Sequence, residues 1–155
     1  MEIRQARQQE LPEIMAIFQR AKRFMRESGN LRQWRDYPPE ELLRQDIAAG
    51  ECYVMTGDSG IEGVFVMQAA PDAEYAPFAA GDYLSLHRLA SAGRERGIFR
   101  AMLDFAAARS SHLLADTHED NRIMQGLLSG GGFRYRGELW RCGERYLVYE
   151  RGGDA

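Results

Sequence analysis

The chain has 155 residues, 45% of them hydrophobic, enough for one sizeable core, and it predicts a single domain over residues 1–151 with a frayed tail at 152–155. Twenty Lys and Arg against 23 Asp and Glu leave a formal net charge of -3, which removes the basic footprint of a duplex binder, so no nucleic-acid partner is expected. Cys52 and Cys142 lack CxxC spacing, which argues against a disulfide framework or a metal site, and no apolar run approaches the roughly 20 residues that span a bilayer.

The N-terminus MEIRQARQQELPE has no apolar signal core, so a soluble, cytoplasmic chain is expected. Glu2 to Ala6 alternates as an opening strand. Leu11, Ile14, Ile17, Phe18, Ala21, Phe24 and Met25 then trace a helical stripe, with Pro12 suited to its first turn and Ser28-Gly29-Asn30 to its end. The segment from Leu31 to Pro39 reads as a loop because Pro38-Pro39 cannot continue a helix, and Glu40 to Ala49 as a short second helix.

Glu51 to Thr56 and Ile61 to Ala70 are strand-like runs joined by the turn Gly57-Asp58-Ser59-Gly60. That turn matches the nucleophile segment of trypsin-like proteases, but no His precedes Ser59 and the chain is too short for two β-barrels. Pro71 to Gly81 reads as a long irregular loop, of the kind that gates a site. After Phe133, the runs Arg134 to Trp140 and Arg145 to Arg151 read as two terminal strands around the turn Cys142-Gly143-Glu144.

The stretch from Asp82 to Ala106 organises the rest. Tyr83, Leu84, Leu86 and Leu89 favour a buried strand, and Ile98, Ala101, Met102 and Phe105 recur at helical spacing. Between them Arg94-Glu95-Arg96-Gly97 opens the helix, where unpaired amides, the positive end of the helix dipole and guanidinium groups together suit a pyrophosphate. Downstream, Leu113 to Thr117 reads as a second buried strand, followed by His118-Glu119-Asp120-Asn121, the helix-like run Ile123-Met124-x-x-Leu127-Leu128, and Ser129 to Phe133 as its end. His87, on the central strand, and His118 are the imidazoles able to accept a proton near neutral pH, while His112 borders a polar turn and is expected to be solvated. Glu51, Glu62 and Glu74 are carboxylate alternatives for that role.

The strand, Arg94-x-x-Gly97-x-Phe99 loop and helix resemble the acyl-CoA signature of the GNAT superfamily of N-acetyltransferases: Gln or Arg, two residues, Gly, one residue, then Gly or Ala. Phe99 departs from the small final residue. The downstream segment resembles the family's second motif through Asn121, Met124, Leu127, Leu128 and Gly132-Phe133, with Leu128 where a tyrosine is common. The resemblance implies an α/β (α+β) fold, with a central mixed, mostly antiparallel sheet of about 6–7 strands and about four helices on both faces. It implies acetyl transfer from acetyl-CoA to an amine by direct attack in a ternary complex, with a small amine or a peptide as acceptor; a homodimer is left open.

Carried onto this sequence, the resemblance assigns an oxyanion donor to the backbone N–H of Leu89 and the amide arm of the cofactor to Leu89 and Ala90. It assigns the pyrophosphate to Arg94, Glu95, Arg96, Gly97, Ile98, Phe99 and Arg100, the pantetheine to Asn121 and Met124, and one acceptor wall to Trp34 and Tyr37. His87 is the candidate base, and His118 a candidate base or acid. Phe99 and Leu128 favour the alternative of an acyl-CoA-binding or regulatory domain without efficient turnover. A nucleotide-binding loop at Arg94 to Gly97 ranks below both, since GxxxxGK[ST] and GxGxxG are missing.

Overall fold

The computed structural model describes residues 1–31, 33–34 and 37–153. In chain order the elements are β1 (Glu2–Gln5), α1 (Leu11–Glu27), α2 (Glu40–Ala48), β2 (Cys52–Gly57), β3 (Gly60–Gln68), β4 (Leu84–Ser91), α3 (Ile98–Ala107), β5 (His112–His118), α4 (Arg122–Gly130), β6 (Arg134–Arg141) and β7 (Glu144–Gly152). Short 3-10 turns at Gln8–Glu10 and Ala73–Tyr75 complete it. The seven strands form one sheet in the order β1-β2-β3-β4-β5-β7-β6. Every pairing is antiparallel except β4 with β5, so the expected mixed, mostly antiparallel sheet is present.

Strand alternation divides the buried side chains between two faces. On one face α1 and α2 set Ile14, Phe18, Leu43 and Ile47 against Cys52, Val54, Val64, Val66 and Ala90. On the other, α3 and α4 set Ile98, Met102, Leu103 and Leu128 against Met55, Phe65, Leu86, Leu113, Ala115 and Leu147. Each of the Val, Leu, Ile, Phe and Met side chains among them, fully buried, contributes about 1.5–3 kcal/mol. Close docking of α3 depends on Gly63, where an added Cβ would stand 2.7 Å from Ile98 Cγ2 and 2.8 Å from Met102 Cε.

Three local expectations change. Pro71 to Gly81 is an anchored segment: Tyr75 is fully buried against Tyr83, Leu114 and Val148, and the Asp72 N–H donates to Tyr83 Oη at 2.8 Å. His112 is enclosed, with Nε2 2.6 Å from Glu150 Oε2 and Nδ1 3.1 Å from the Asp82 carbonyl oxygen, because β5 and β7 run antiparallel and bring position 150 beside it. Gly152 is the last residue of β7 and pairs with His112, so the strand outlasts its expected end at Arg151. Within the loop before α2, Arg32, Arg35 and Asp36 lie outside the described residues, as do Asp154 and Ala155.

Candidate functional site

The site begins where two parallel strands part. β4 and β5 pair at Leu84–Leu113, Ser85–Leu114 and Leu86–Ala115, and the ladder stops there. On its other edge β4 carries a bulge. Val66 pairs with His87 and Val64 with Ala90, so Arg88 and Leu89 together oppose Phe65. A bulge leaves one residue unpaired and bends its strand. Arg88 takes the left-handed conformation, with φ of 52°, which disfavours a side chain. It is held there from outside the strand: Nε and Nη2 donate to the two Asp46 carboxylate oxygens at 3.0 Å each, and Nη1 donates to Tyr37 Oη at 2.6 Å. Burial raises the Asp46 pKa, opposed by the attached Arg88 guanidinium.

A cavity of about 820 Å³ fills the gap between the diverging strands. Its strand walls include His87, Leu89, Asp116 and Thr117. Trp34 and Tyr37 both line it, and Trp34 also packs on Phe18 with ring centroids 5.4 Å apart, so it anchors its loop and walls the cavity at once. Phe99, Met124 and Leu128 form an apolar side beneath α3 and α4. Phe99 is half-buried on the core there, which accommodates a bulky residue at the position expected to be small.

On the polar side, Ser85 and His87 share a face of β4, with His87 Nε2 2.8 Å from Ser85 Oγ. The His87 ring stacks on Tyr75 at 6.1 Å and 13°. Burial lowers the His87 pKa below the usual imidazole value, with Asp116 pulling the other way. Tyr75 Oη donates to Asp116 Oδ2 at 2.6 Å, and Arg141 donates to both Asp116 and Glu74. Tyr146 lies beneath the Arg141 guanidinium, 4.6 Å from its ring centroid, and burial raises its pKa, which keeps the phenol protonated. Of the carboxylate alternatives, Glu74 lines the cavity, whereas Glu51 accepts from Gln68 and Glu62 is buried against Arg94.

At the other end, α3 starts from Gly97, whose φ of 76° suits glycine and turns the chain into the helix. The amides of Ile98, Phe99 and Arg100 in the first helical turn have no intrahelical acceptor. Arg94, half-exposed, is tied to β3. Its Nε donates to Glu62 Oε1 at 3.2 Å and its Nη2 to the Ile61 carbonyl at 2.8 Å, because a buried carboxylate lies within its reach. Glu95, Arg96 and Arg100 remain exposed. Ala90 is buried and paired to Val64, leaving Leu89 as the expected backbone contact that sits in the bulge.

Asn121 caps α4: Oδ1 accepts from the Met124 N–H at 3.1 Å. Its Nδ2 donates to Gln33 Oε1, which also accepts from Asn30 Nδ2, so the loop after α1 is tied to the start of α4. His118 is fully buried and not on the cavity wall. Its Nδ1 accepts from the Asp120 N–H at 3.0 Å, Nε2 lies 3.6 Å from Glu144 Oε2, and the ring meets Tyr146 edge-on. Sequence reading missed Arg88, Tyr75, Asp116, Thr117, Arg141 and Tyr146. The local signals were Arg88 and Asp116, charged residues inside runs that read as buried strands.

The chain fits an acyl-CoA by its own features: a gap between parallel strands, a bulged backbone at Leu89 and a helix N-terminus at the far end. No protein-family model matches the chain, and no curated protein matches it in sequence. Solved structures do match. A GNAT-family acetyltransferase from Streptococcus agalactiae is 24% identical over 99% of this chain and 96% of its own, with a TM-score of 0.87. One from Listeria monocytogenes is 20% identical over 98% and 94%, with a TM-score of 0.75. A ribosomal-protein-alanine N-acetyltransferase from Brucella melitensis is 18% identical over 99% and 100%, with a TM-score of 0.68. The fold is therefore the GNAT fold.

Proposed function

We propose that the protein is an N-acetyltransferase that moves an acetyl group from acetyl-CoA to the primary amine of a small molecule or peptide, by direct attack in a ternary complex. The observation that carries this reading is the bulge at Arg88 and Leu89 beside the end of the β4–β5 ladder, opening on a cavity with a polar and an apolar side. Acetyl-CoA supplies an acyl group activated as a thioester. The first-turn amides of α3 would hold its pyrophosphate, and Leu89, Asn121 and Met124 would line its pantetheine arm.

The chain's own groups meet each demand of the chemistry. An alkylammonium with a pKa near about 10.4 must lose a proton before it attacks, and His87, neutral at pH 7, can accept it on the polar side. The Leu89 N–H, preplaced in the bulge, is suited to the oxyanion that develops on the carbonyl oxygen. Trp34 and Tyr37 would bound the acceptor. Among the described residues no helix is long and apolar enough to cross a membrane.

Incubating the protein with acetyl-CoA and a panel of amines and peptides, while following thiol release, tests the proposal. Acetylated product with stoichiometric thiol release is expected. CoA binding with silence on every acceptor would favour an acyl-CoA-binding or regulatory domain, the reading that buried Leu128 supports because it offers no proton to a leaving thiolate.

A further inference from the structure

Thr117 lies on the cavity wall, 1% exposed, and its Oγ1 has no hydrogen-bond partner among the described residues. A buried hydroxyl left unpaired costs stability, so it calls for an explanation. The residues that form the apolar side of that cavity, Phe99, Met124 and Leu128, have no proton to offer.

The strand register fixes what Thr117 faces. Leu84 and Leu86 of β4 share a face with Leu113 and Ala115 of β5, all within the core under α3 and α4. One further step on that face reaches Thr117 on β5. On β4 the bulge inserts a residue, and the same step reaches Leu89, which also packs on that core. Leu89 and Thr117 thus confront each other across the gap where the ladder has ended. If the Leu89 N–H holds the thioester carbonyl, as the proposed function has it, the sulfur bonded to that carbonyl carbon lies within the same gap. In the observed rotamer Oγ1 is buried; a turn of roughly 120° about Cα–Cβ carries it to the place of the methyl or of the hydrogen, another staggered position from which it can reach the cavity.

We infer that the Thr117 hydroxyl is a catalytic residue that donates a hydrogen bond to the thioester sulfur and stabilises the thiolate as it leaves. Once His87 has passed the ammonium proton on to solvent, the C–N bond forms from the amine lone pair, the C–S bond breaks with its electron pair kept on sulfur, and the second nitrogen proton passes to His87. Thr117 keeps its own proton, since a thiol with a pKa near about 8.5 is a far stronger acid than an aliphatic hydroxyl. The inference rests on the acetyl-transfer reading and supplies a donor where Leu128 supplies none.

The test uses the full chain with CoA itself, titrating the bound thiol by the ultraviolet absorbance of its thiolate. Wild type and Thr117→Ser are expected to bind CoA with a thiol pKa about one unit below that in Thr117→Val, an isosteric change that removes the hydroxyl. The Val variant should keep its melting temperature, bind CoA within about twofold of wild type and lose about tenfold in kcat. If Thr117→Val fails to fold, the same titration of Thr117→Ala decides. Equal thiol pKa values in wild type and the Val or Ala variant, or a variant that loses CoA affinity with that pKa unmoved, would overturn this role and leave acetyl transfer standing. A wild-type protein that binds no CoA would overturn both.

Discussion

Arg88 and Asp46 form a two-pronged ion pair, each contact 3.0 Å, between a left-handed bulge residue in β4 and a buried position in α2. Their side chains are only 9% and 5% exposed, so neither charge has water to fall back on. The pair couples α2, which follows the cavity-lining Trp34 and Tyr37, to the backbone at Leu89.

Removing one partner should therefore leave an uncompensated buried charge. Asp46→Ala is expected to lower stability by about 3–5 kcal/mol in urea unfolding, the range for breaking a buried pair. Affinity for CoA should fall as well, because the bulge loses its external hold. Full stability in the variant would mean that the bulge is held by the sheet alone.

Arg94 belongs to the same kind of argument. Because its guanidinium serves buried Glu62 and the Ile61 carbonyl, Arg94→Ala should destabilise by about 1–3 kcal/mol through the stranded carboxylate. CoA affinity should change little in titration calorimetry. A large loss of affinity at unchanged stability would return Arg94 to the pyrophosphate.

With His87 as the base proposed above, the pH dependence of turnover follows from its titration. Burial holds its pKa below 6.5, so the neutral ring persists through pH 7, and the acid limb of kcat/KM should lie below about 6.5. His87→Gln should lower kcat by about 10²–10⁴-fold and abolish that limb. A variant that keeps the limb would assign it to another group.

Glu150 sets a separate dependence, in stability. Burial by itself raises its pKa, but His112 and Arg136 outweigh this and hold it below the ordinary value of 4.5. A carboxylate whose folded pKa is depressed adds stability above its unfolded pKa and loses it as pH falls through the lower folded value. Glu150→Gln should thus be clearly less stable than wild type at neutral pH, and the gap between their urea midpoints should narrow below about pH 4. A constant gap would show that shape rather than charge matters at this position.

The sheet strands, the helices and the loop that opens α3 were legible in the sequence because each is written in residues a few positions apart: alternation for strands, three-to-four spacing for helices, glycine and asparagine at their ends. A cap on α4 at Asp120 or Asn121 was legible for the same reason, and the structure decides for Asn121. The site was legible only in outline. That Arg88 is gripped by Asp46, 42 positions away, that Arg94 answers Glu62, 32 positions away, and that His118 is withdrawn from the cavity while Thr117 faces it, depend on which distant segments the sheet brings together. Local periodicity records which way a residue points along its own element. A one-residue bulge shifts that direction for everything after it, and only the pairing of β4 with β3 decides where the shift occurs.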